Sequence, residues 1–165
     1  MPRLLDEKNV KMLTEHKIFT EAELKSRCEI MLENYNKTVN IEGLTMVDMV
    51  RKDYLPAIEE YLYTLARAVE SIKNISENVK CKYEISTIEK LTDLTDSIMD
   101  AVTDLEEELA KLKEIDDVIR TSELIRDEVL PRMNTLRGYV DAAEMLTSGK
   151  YWPVPSYGKL LFSVY

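Results

Sequence analysis

Glycine is nearly missing from this chain. It has four in 165 residues, at Gly43, Gly138, Gly149 and Gly158, where about 7% would be usual. Folds that turn often need many residues free to adopt positive φ, so sandwiches, barrels and loop-rich scaffolds are disfavoured. Nucleotide-binding α/β folds need glycines clustered where backbone approaches phosphate. None of the four lies within two residues of another, so no phosphate loop can be drawn. What a chain of this length can build with so few turns is helix. It is long enough for one domain with a substantial core, and its 45% hydrophobic and 32% charged residues are unlike a disordered chain.

Apolar spacing carries the reading further. Met1 to Asp6 reads as irregular chain, and a short helix is expected over Glu7 to Lys17, with Val10, Met12 and Leu13 on a narrow apolar side. Thr20-Glu21-Ala22-Glu23 is a capping box: the threonine oxygen accepts from the backbone N–H of residue 23, and Glu23 reaches back to the N–H of Thr20. From there Leu24, Cys28, Met31, Tyr35 and Thr38 recur at helical spacing, and Tyr54, Ile58, Tyr61, Leu65, Ala68 and Ile72 resume the pattern. One straight helix over both would be about 80 Å long. The weak helix formers Asn40-Ile41-Glu42-Gly43 therefore mark the expected bend or break, with Pro56 a second candidate kink.

After a polar connection near Ser76 to Cys81, a helix over Glu84 to Lys113 carries Ile85, Ile88, Leu91, Leu94, Ile98, Val102, Leu105, Leu109 and Leu112. A short turn near Glu114 to Asp116 leads to a second, Asp116 to Thr147, with Val118, Ser122, Ile125, Val129, Met133, Leu136, Val140 and Ala143 in register. A turn so short makes the two antiparallel neighbours. With the half-helix Ile41 to Asn74 these give three rods of similar length. The expected fold is all-α: a single helical domain over 1–165, an elongated antiparallel bundle of three long helices plus N-terminal helices. Residues 1–20 form the lead-in, 21–148 the bundle and 149–165 an irregular apolar tail.

The same residues are poor in chemistry. His16 is the only histidine, and a surface place on the short helix suits it better than a catalytic or metal-binding role. Residue 13, three before it, is leucine, so the Glu-x-x-His of a di-iron bundle is missing. Glu106-Glu107-Glu108 fan around a helix and read as a solvated face, while Asp116 or Asp117 suits a helix start. Cys28 falls in the apolar register and is expected to be inert. Cys81 reads as a connecting-loop cysteine, the alternative being a partly exposed place at a helix start. Met31, Met46 and Met49 read as core filler, and Lys37, Arg51, Lys52, Arg132 and Arg137 as solvated salt-bridge partners. A net charge of −9 repels nucleic acid and anionic membranes. No apolar run approaches the 18 or so residues of a membrane span, and a reducing cytoplasm fits the two isolated cysteines.

The tail differs in kind. Gly149 to Phe162 holds the only tryptophan and two prolines in three residues, which argue for irregular chain. Its apolar residues need something to pack on.

Four stretches carry a family likeness: Cys28-Glu-Ile-Met-Leu-Glu-Asn-Tyr-Asn-Lys-Thr-Val-Asn-Ile-Glu-Gly-Leu-Thr-Met-Val-Asp-Met-Val50, Asp53-Tyr-Leu-Pro-Ala57, Val129-Leu-Pro-Arg-Met-Asn-Thr-Leu-Arg137, and Tyr151-Trp-Pro-Val-Pro-Ser-Tyr-Gly-Lys-Leu-Leu-Phe162. Together they resemble the C-terminal region of type III glutamine synthetases. There a helical domain follows the catalytic one and ends on a Trp-Pro-x-Pro-x-Tyr-Gly-x-Leu-Leu-Phe-like tail. The resemblance implies a parent enzyme that joins ammonia to glutamate with ATP and Mg²⁺ or Mn²⁺, in large rings. The family's nucleotide, metal and glutamate motifs are not in these residues. The chain is thus expected to be a non-catalytic fragment with no cofactor of its own, whose partners are its upstream catalytic domain and neighbouring subunits. Trp152, Pro153, Pro155, Tyr157, Leu160, Leu161 and Phe162 are the candidate interface, since aromatic side chains dominate interface energetics. The rival reading is a free-standing helical interaction module unrelated to an enzyme.

Overall fold

The computed structural model describes residues 2–155 and 157–162; the side chains of Pro2 and Tyr157 lie outside the description. Among the described residues there is no strand, and the fold is all-α and bundle-like. A 3-10 turn over Pro2–Leu5 precedes α1, Glu7–Glu15. Then come α2 (Glu21–Met49), α3 (Leu55–Ile75), α4 (Lys82–Lys111), α5 (Val118–Leu124), α6 (Leu130–Leu146) and the short α7 (Tyr157–Phe162). None of these helices is long and apolar enough to cross a membrane. Helix α1 stops two residues before the expected Lys17, which instead takes a left-handed φ of 53° and turns the chain.

The capping box forms as the sequence requires. Glu23 N–H donates to Thr20 Oγ1 at 3.3 Å, and Thr20 N–H donates to Glu23 Oε2 at 2.8 Å. These bonds hold the Glu23 carboxyl below its ordinary pKa, the backbone bond being the larger cause. They satisfy donors that every helix start leaves without intrahelical partners.

The expected break at Asn40 to Gly43 does not occur. Helix α2 runs through it, and the helical path continues unbroken to Ile75. Gly43 serves packing instead: a Cβ there would lie 2.9 Å from Cδ2 of Leu109, a side chain only 2% exposed. The missing side chain lets α2 and α4 approach closely, which outweighs glycine's poor helix propensity of about 1 kcal/mol. The buried stripe of α2 follows the expected register at Leu24 and Cys28 and departs from it by one residue afterwards. Leu24, Cys28, Leu32, Val39, Val47 and Val50 are buried, whereas Met31, Tyr35 and Thr38 are exposed.

The irregularity falls at Pro56. A π-helical segment, Val50–Tyr54, joins α2 to α3, and Leu55 N–H donates to Val50 O, five residues back. A proline in a regular α-helix lacks its own N–H and crowds the carbonyl four residues earlier; widening the turn just before it relieves both. The same device recurs. A second π segment, Ile125–Val129, joins α5 to α6 ahead of Pro131, with Leu130 N–H donating to Ile125 O. The underlying sequences match: Val50-Arg-Lys-Asp-Tyr-Leu-Pro56 and Ile125-Arg-Asp-Glu-Val-Leu-Pro131. π-helix accounts for well under 1% of residues in globular proteins, so two such segments on one repeated motif are a built feature.

The chain divides into two compact units, residues 1–44 with 106–131 and residues 45–105 with 132–165. In the first, the core is Leu24, Cys28, Leu32, Val39, Leu109, Leu112, Ile125 and Val129. Asn36 ties α2 to α5 there: its Nδ2 donates to Val118 O at 3.0 Å, and Ser122 Oγ donates to its Oδ1 at 2.8 Å. Asp117 caps α5 by accepting from Arg120 N–H at 2.8 Å. Glu108 is not on a solvated face as expected; it is buried and accepts from Lys111 at 2.6 Å.

In the second unit the core is built from Val50, Ile58, Tyr61, Leu65, Leu91, Ile98, Val102, Leu105, Leu136, Val140 and Ala143. This is the stripe expected of residues 54–72 and of the two later helices. Cys81 precedes α4 with φ 40° and is buried, not partly exposed. Its carbonyl accepts from Ile85 N–H at 3.0 Å, which makes it part of the helix start.

Candidate functional site

The tail is where the second unit departs from plain helix packing. Thr147, buried at the end of α6, donates its hydroxyl to Ala143 O at 2.8 Å. Tyr151 N–H then donates to Ser148 O at 2.8 Å and Trp152 N–H to the same carbonyl at 3.3 Å. This turn carries two consecutive aromatic residues onto one face of the continuous helical path formed by the π segment Val50–Tyr54 and α3. Trp152 stacks on Tyr54, centroids 5.1 Å apart and planes 20° from parallel. Tyr151 tilts against Tyr61 at 5.4 Å, and its hydroxyl lies 3.1 Å from Thr64 Oγ1. Tyr54, Tyr61 and Thr64 share that face because they are spaced by seven and three along the helix. Tyr83, from the first turn of α4, closes the group with its hydroxyl 3.3 Å from that of Tyr61. Lys150 Nζ lies 5.2 Å from the Tyr151 ring centroid, a cation–π contact.

The electrostatics follow from burial and neighbours. Tyr61 is pushed up to about 12, first by its hydrogen bond to Tyr83, then by burial and by Tyr83 and Tyr151. Tyr54 is raised by burial and then by the carboxylates of Glu144, Asp53 and Asp141. Both stay neutral at physiological pH and serve as packing and hydrogen-bonding groups. Among the described residues, the buried indole Nε1 of Trp152 has no hydrogen-bond partner.

Of the candidate interface residues, only Trp152 is drawn into this aromatic clasp. Pro153 and Pro155 are exposed. The expectation of an irregular tail holds up to Pro155 and fails beyond it, because α7 forms over Tyr157–Phe162. Proline disrupts a helix interior and restricts the residue before it, but does not oppose a helix that starts two residues after it. The Tyr157 side chain lies outside the described residues. Leu160, Leu161 and Phe162 are uncovered, at 61%, 66% and 81% exposure. The partners of Trp152, namely Tyr54, and of Tyr151, namely Tyr61, Thr64 and Tyr83, were not singled out as a site by sequence. The available signal was the Tyr54/Tyr61 spacing, which reads equally well as core.

His16 is exposed at the end of α1. Among the described residues, no three His, Cys, Asp or Glu side chains come together where they could hold a metal ion.

Residues 1–73 match the family described as the glutamine synthetase C-terminal domain. Over 164 residues, 99% of this chain, the sequence is 34% identical to a glutamine synthetase of Butyrivibrio fibrisolvens, covering 23% of that protein. It is 29% identical over 160 residues to the type-3 glutamine synthetase of Dictyostelium discoideum, covering 94% of this chain and 22% of that one. A glutamine synthetase of Bacteroides fragilis is 25% identical over 162 residues, 96% of this chain and 22% of its own. The chain thus spans less than a quarter of the length of the curated relatives it matches.

Proposed function

We infer that this chain, whose residues 1–73 match the glutamine synthetase C-terminal domain family and which is 34% identical to a glutamine synthetase, is the helical C-terminal domain of a type III glutamine synthetase. In this reading it does no chemistry itself and supports the packing of that enzyme's domains or subunits. The parent activity is ATP-dependent ligation of ammonia to glutamate in nitrogen assimilation, in the cytoplasm, and ATP and the divalent metal belong to residues outside this chain. The observation that carries the packing role is the tail: one part is clasped to α3 through Trp152 and Tyr151, while α7 extends Leu160, Leu161 and Phe162 into solvent. Three adjacent apolar side chains left uncovered suit an interface, where such groups gain by losing water.

The test is made in the full-length enzyme. Trp152→Ala frees the tail, and Leu161→Ser with Phe162→Ser removes its apolar end. Sedimentation velocity should show loss of the large assembly in both, with ATP-dependent glutamine formation falling along with it. If both variants assemble and turn over as the parent does, the packing role is wrong.

A further inference from the structure

We propose that α7 folds on docking: in the isolated chain residues 157–162 exchange between helix and open chain, and they hold the helical form only against the part of the enzyme's polypeptide that lies outside this chain. The helix is six residues long and carries Gly158 at its second position. The first four N–H groups of any α-helix lack intrahelical partners, so a helix of this length closes only about two bonds of its own. Helices shorter than about 12–15 residues are marginal in water unless a face is packed, and glycine weakens them further. Packing within the chain does not make up the difference. Gly158 and Lys159 are exposed, and Leu160, Leu161 and Phe162 stand 61%, 66% and 81% open to solvent. Between α7 and the end of α6 lies a cavity of about 190 Å³, lined by Glu144, Thr147, Trp152 and Lys159 among others, where a close-packed junction would leave few voids larger than a water molecule. The nine-residue α1 at least half-buries Val10 and Leu13; no described side chain of α7 is covered even that far.

Size selects the occupant. A stable contact between separate proteins engages about 20–30 residues a side, and α7 offers three apolar side chains, too few to hold a second copy of this chain. Within one polypeptide the requirement is lower, because a covalent link turns docking into an intramolecular step at an effective concentration of order millimolar. This chain corresponds to 22–23% of the length of its relatives, so more than three quarters of the polypeptide available to α7 lies outside it. The surface that receives α7 is there, and it is apolar, to match Leu160, Leu161 and Phe162. Trp152 and Tyr151, held on Tyr54 and Tyr61, keep the segment close by while it is open. Ordering on contact lowers the affinity of each docking event, which makes the contact reversible.

The inference rests on the reading of the tail as a packing element and adds its state before it is packed. The experiment compares hydrogen exchange at residues 157–162, by mass spectrometry, in the full-length enzyme and in the isolated chain, which buries a core of its own. In the dilute isolated chain these amides should exchange within about tenfold of an unstructured peptide, and in the full-length enzyme at least about a hundredfold more slowly. No described glycine has a positive φ, so Gly158→Ala suits the backbone. It should raise protection at 157–162 in the full-length enzyme about fivefold, the helix preference of alanine over glycine, and leave the urea midpoint of the isolated chain unchanged. Slow exchange in the dilute isolated chain overturns the proposal, as does fast exchange in the full-length enzyme. Protection that appears only as the isolated chain is concentrated overturns it too, since the occupant is then a second copy. If Leu161→Ser with Phe162→Ser abolishes assembly of the full enzyme while 157–162 is already slow in the isolated chain, the packing role stands and folding on docking is wrong. If that double variant assembles normally while 157–162 gains protection in the full-length parent, folding on docking stands and the role in assembly is wrong.

Discussion

Trp152→Phe should leave the isolated chain as stable as before or more stable, though it removes part of the largest side chain in the tail. Phenylalanine keeps a ring face for the 5.1 Å stack on Tyr54, so the aromatic pair contribution of about 0.5–1.5 kcal/mol survives. Lost indole area costs about 1 kcal/mol, the order of one or two buried CH₂ groups. Against that stands Nε1, a buried donor with no acceptor among the described residues, whose uncompensated desolvation costs about 1–3 kcal/mol and vanishes in the variant. The balance runs from about zero to 2 kcal/mol in favour of phenylalanine. Alanine differs in sign: it also relieves the orphan donor, but it loses the stack and most of the half-buried area, for a net loss of about 1–2 kcal/mol. Because Trp152 is the only tryptophan, unfolding in urea should be followed by helical circular dichroism and not by fluorescence. One kcal/mol corresponds to a midpoint shift of about 2–4 °C on heating for a chain of this size. A phenylalanine variant that loses more than about 1 kcal/mol would show that the indole N–H is satisfied and refute the reasoning.

Gly43→Val should destabilise by about 1–3 kcal/mol, since a branched side chain must displace the buried Leu109 whose methyls already lie within 3.1 Å of a Cβ at that position. A free energy of unfolding equal to that of the parent would contradict the close-approach reading. Thr20→Ala should cost about 1 kcal/mol through loss of the reciprocal cap, read as earlier urea unfolding, whereas Thr20→Ser should be nearly silent. Tyr61 is held neutral up to about 12 in the folded chain but ionises near its ordinary 10.0 when unfolded. Its share of stability is therefore complete below pH 10 and is lost as pH rises from there toward 12, because the unfolded chain gives up the proton first. Tyr61→Phe should flatten that alkaline decline, and an unchanged slope in a pH series of melts would count against the Tyr61–Tyr83 hydrogen bond.

The all-α class was legible because it rested on long, redundant signals. Scarce glycine and two sustained heptads over residues 85–112 and 118–143 place the same side chains in the core that the structure buries, Leu91, Ile98, Val102, Leu105, Leu109, Ile125, Val129 and Leu136 among them. The capping box was legible for a different reason, since its chemistry is complete within four residues. The break at Asn40 to Gly43 failed because propensity is local while Gly43's function is set by a residue far away in sequence, Leu109. A glycine that ends a helix and one that lets two helices touch look alike until the partner is known.

The register of α2 slipped for a related reason: Met31 and Tyr35 are as apolar as Leu32 and Val39, and only the neighbouring helices decide which row faces inward. The π segments could have been found from the sequence, through the repeat Val50-Arg-Lys-Asp-Tyr-Leu-Pro56 and Ile125-Arg-Asp-Glu-Val-Leu-Pro131. A single proline suggests a kink, whereas the same seven-residue pattern in two helices suggests a common solution to the missing N–H. The widened turn is that solution: it lets Pro56 and Pro131 each sit inside an unbroken helical path, so that a residue that usually ends helices leaves these two continuous. In the second unit this continuity carries α3 on from the π segment, so that Tyr54, Tyr61 and Thr64 line up on one face to receive the tail. A substitution that restored regular α-geometry before Pro56 would rotate Tyr54 at the end of the π segment relative to Tyr61 beyond it, and should loosen the Trp152 stack without touching the tail itself.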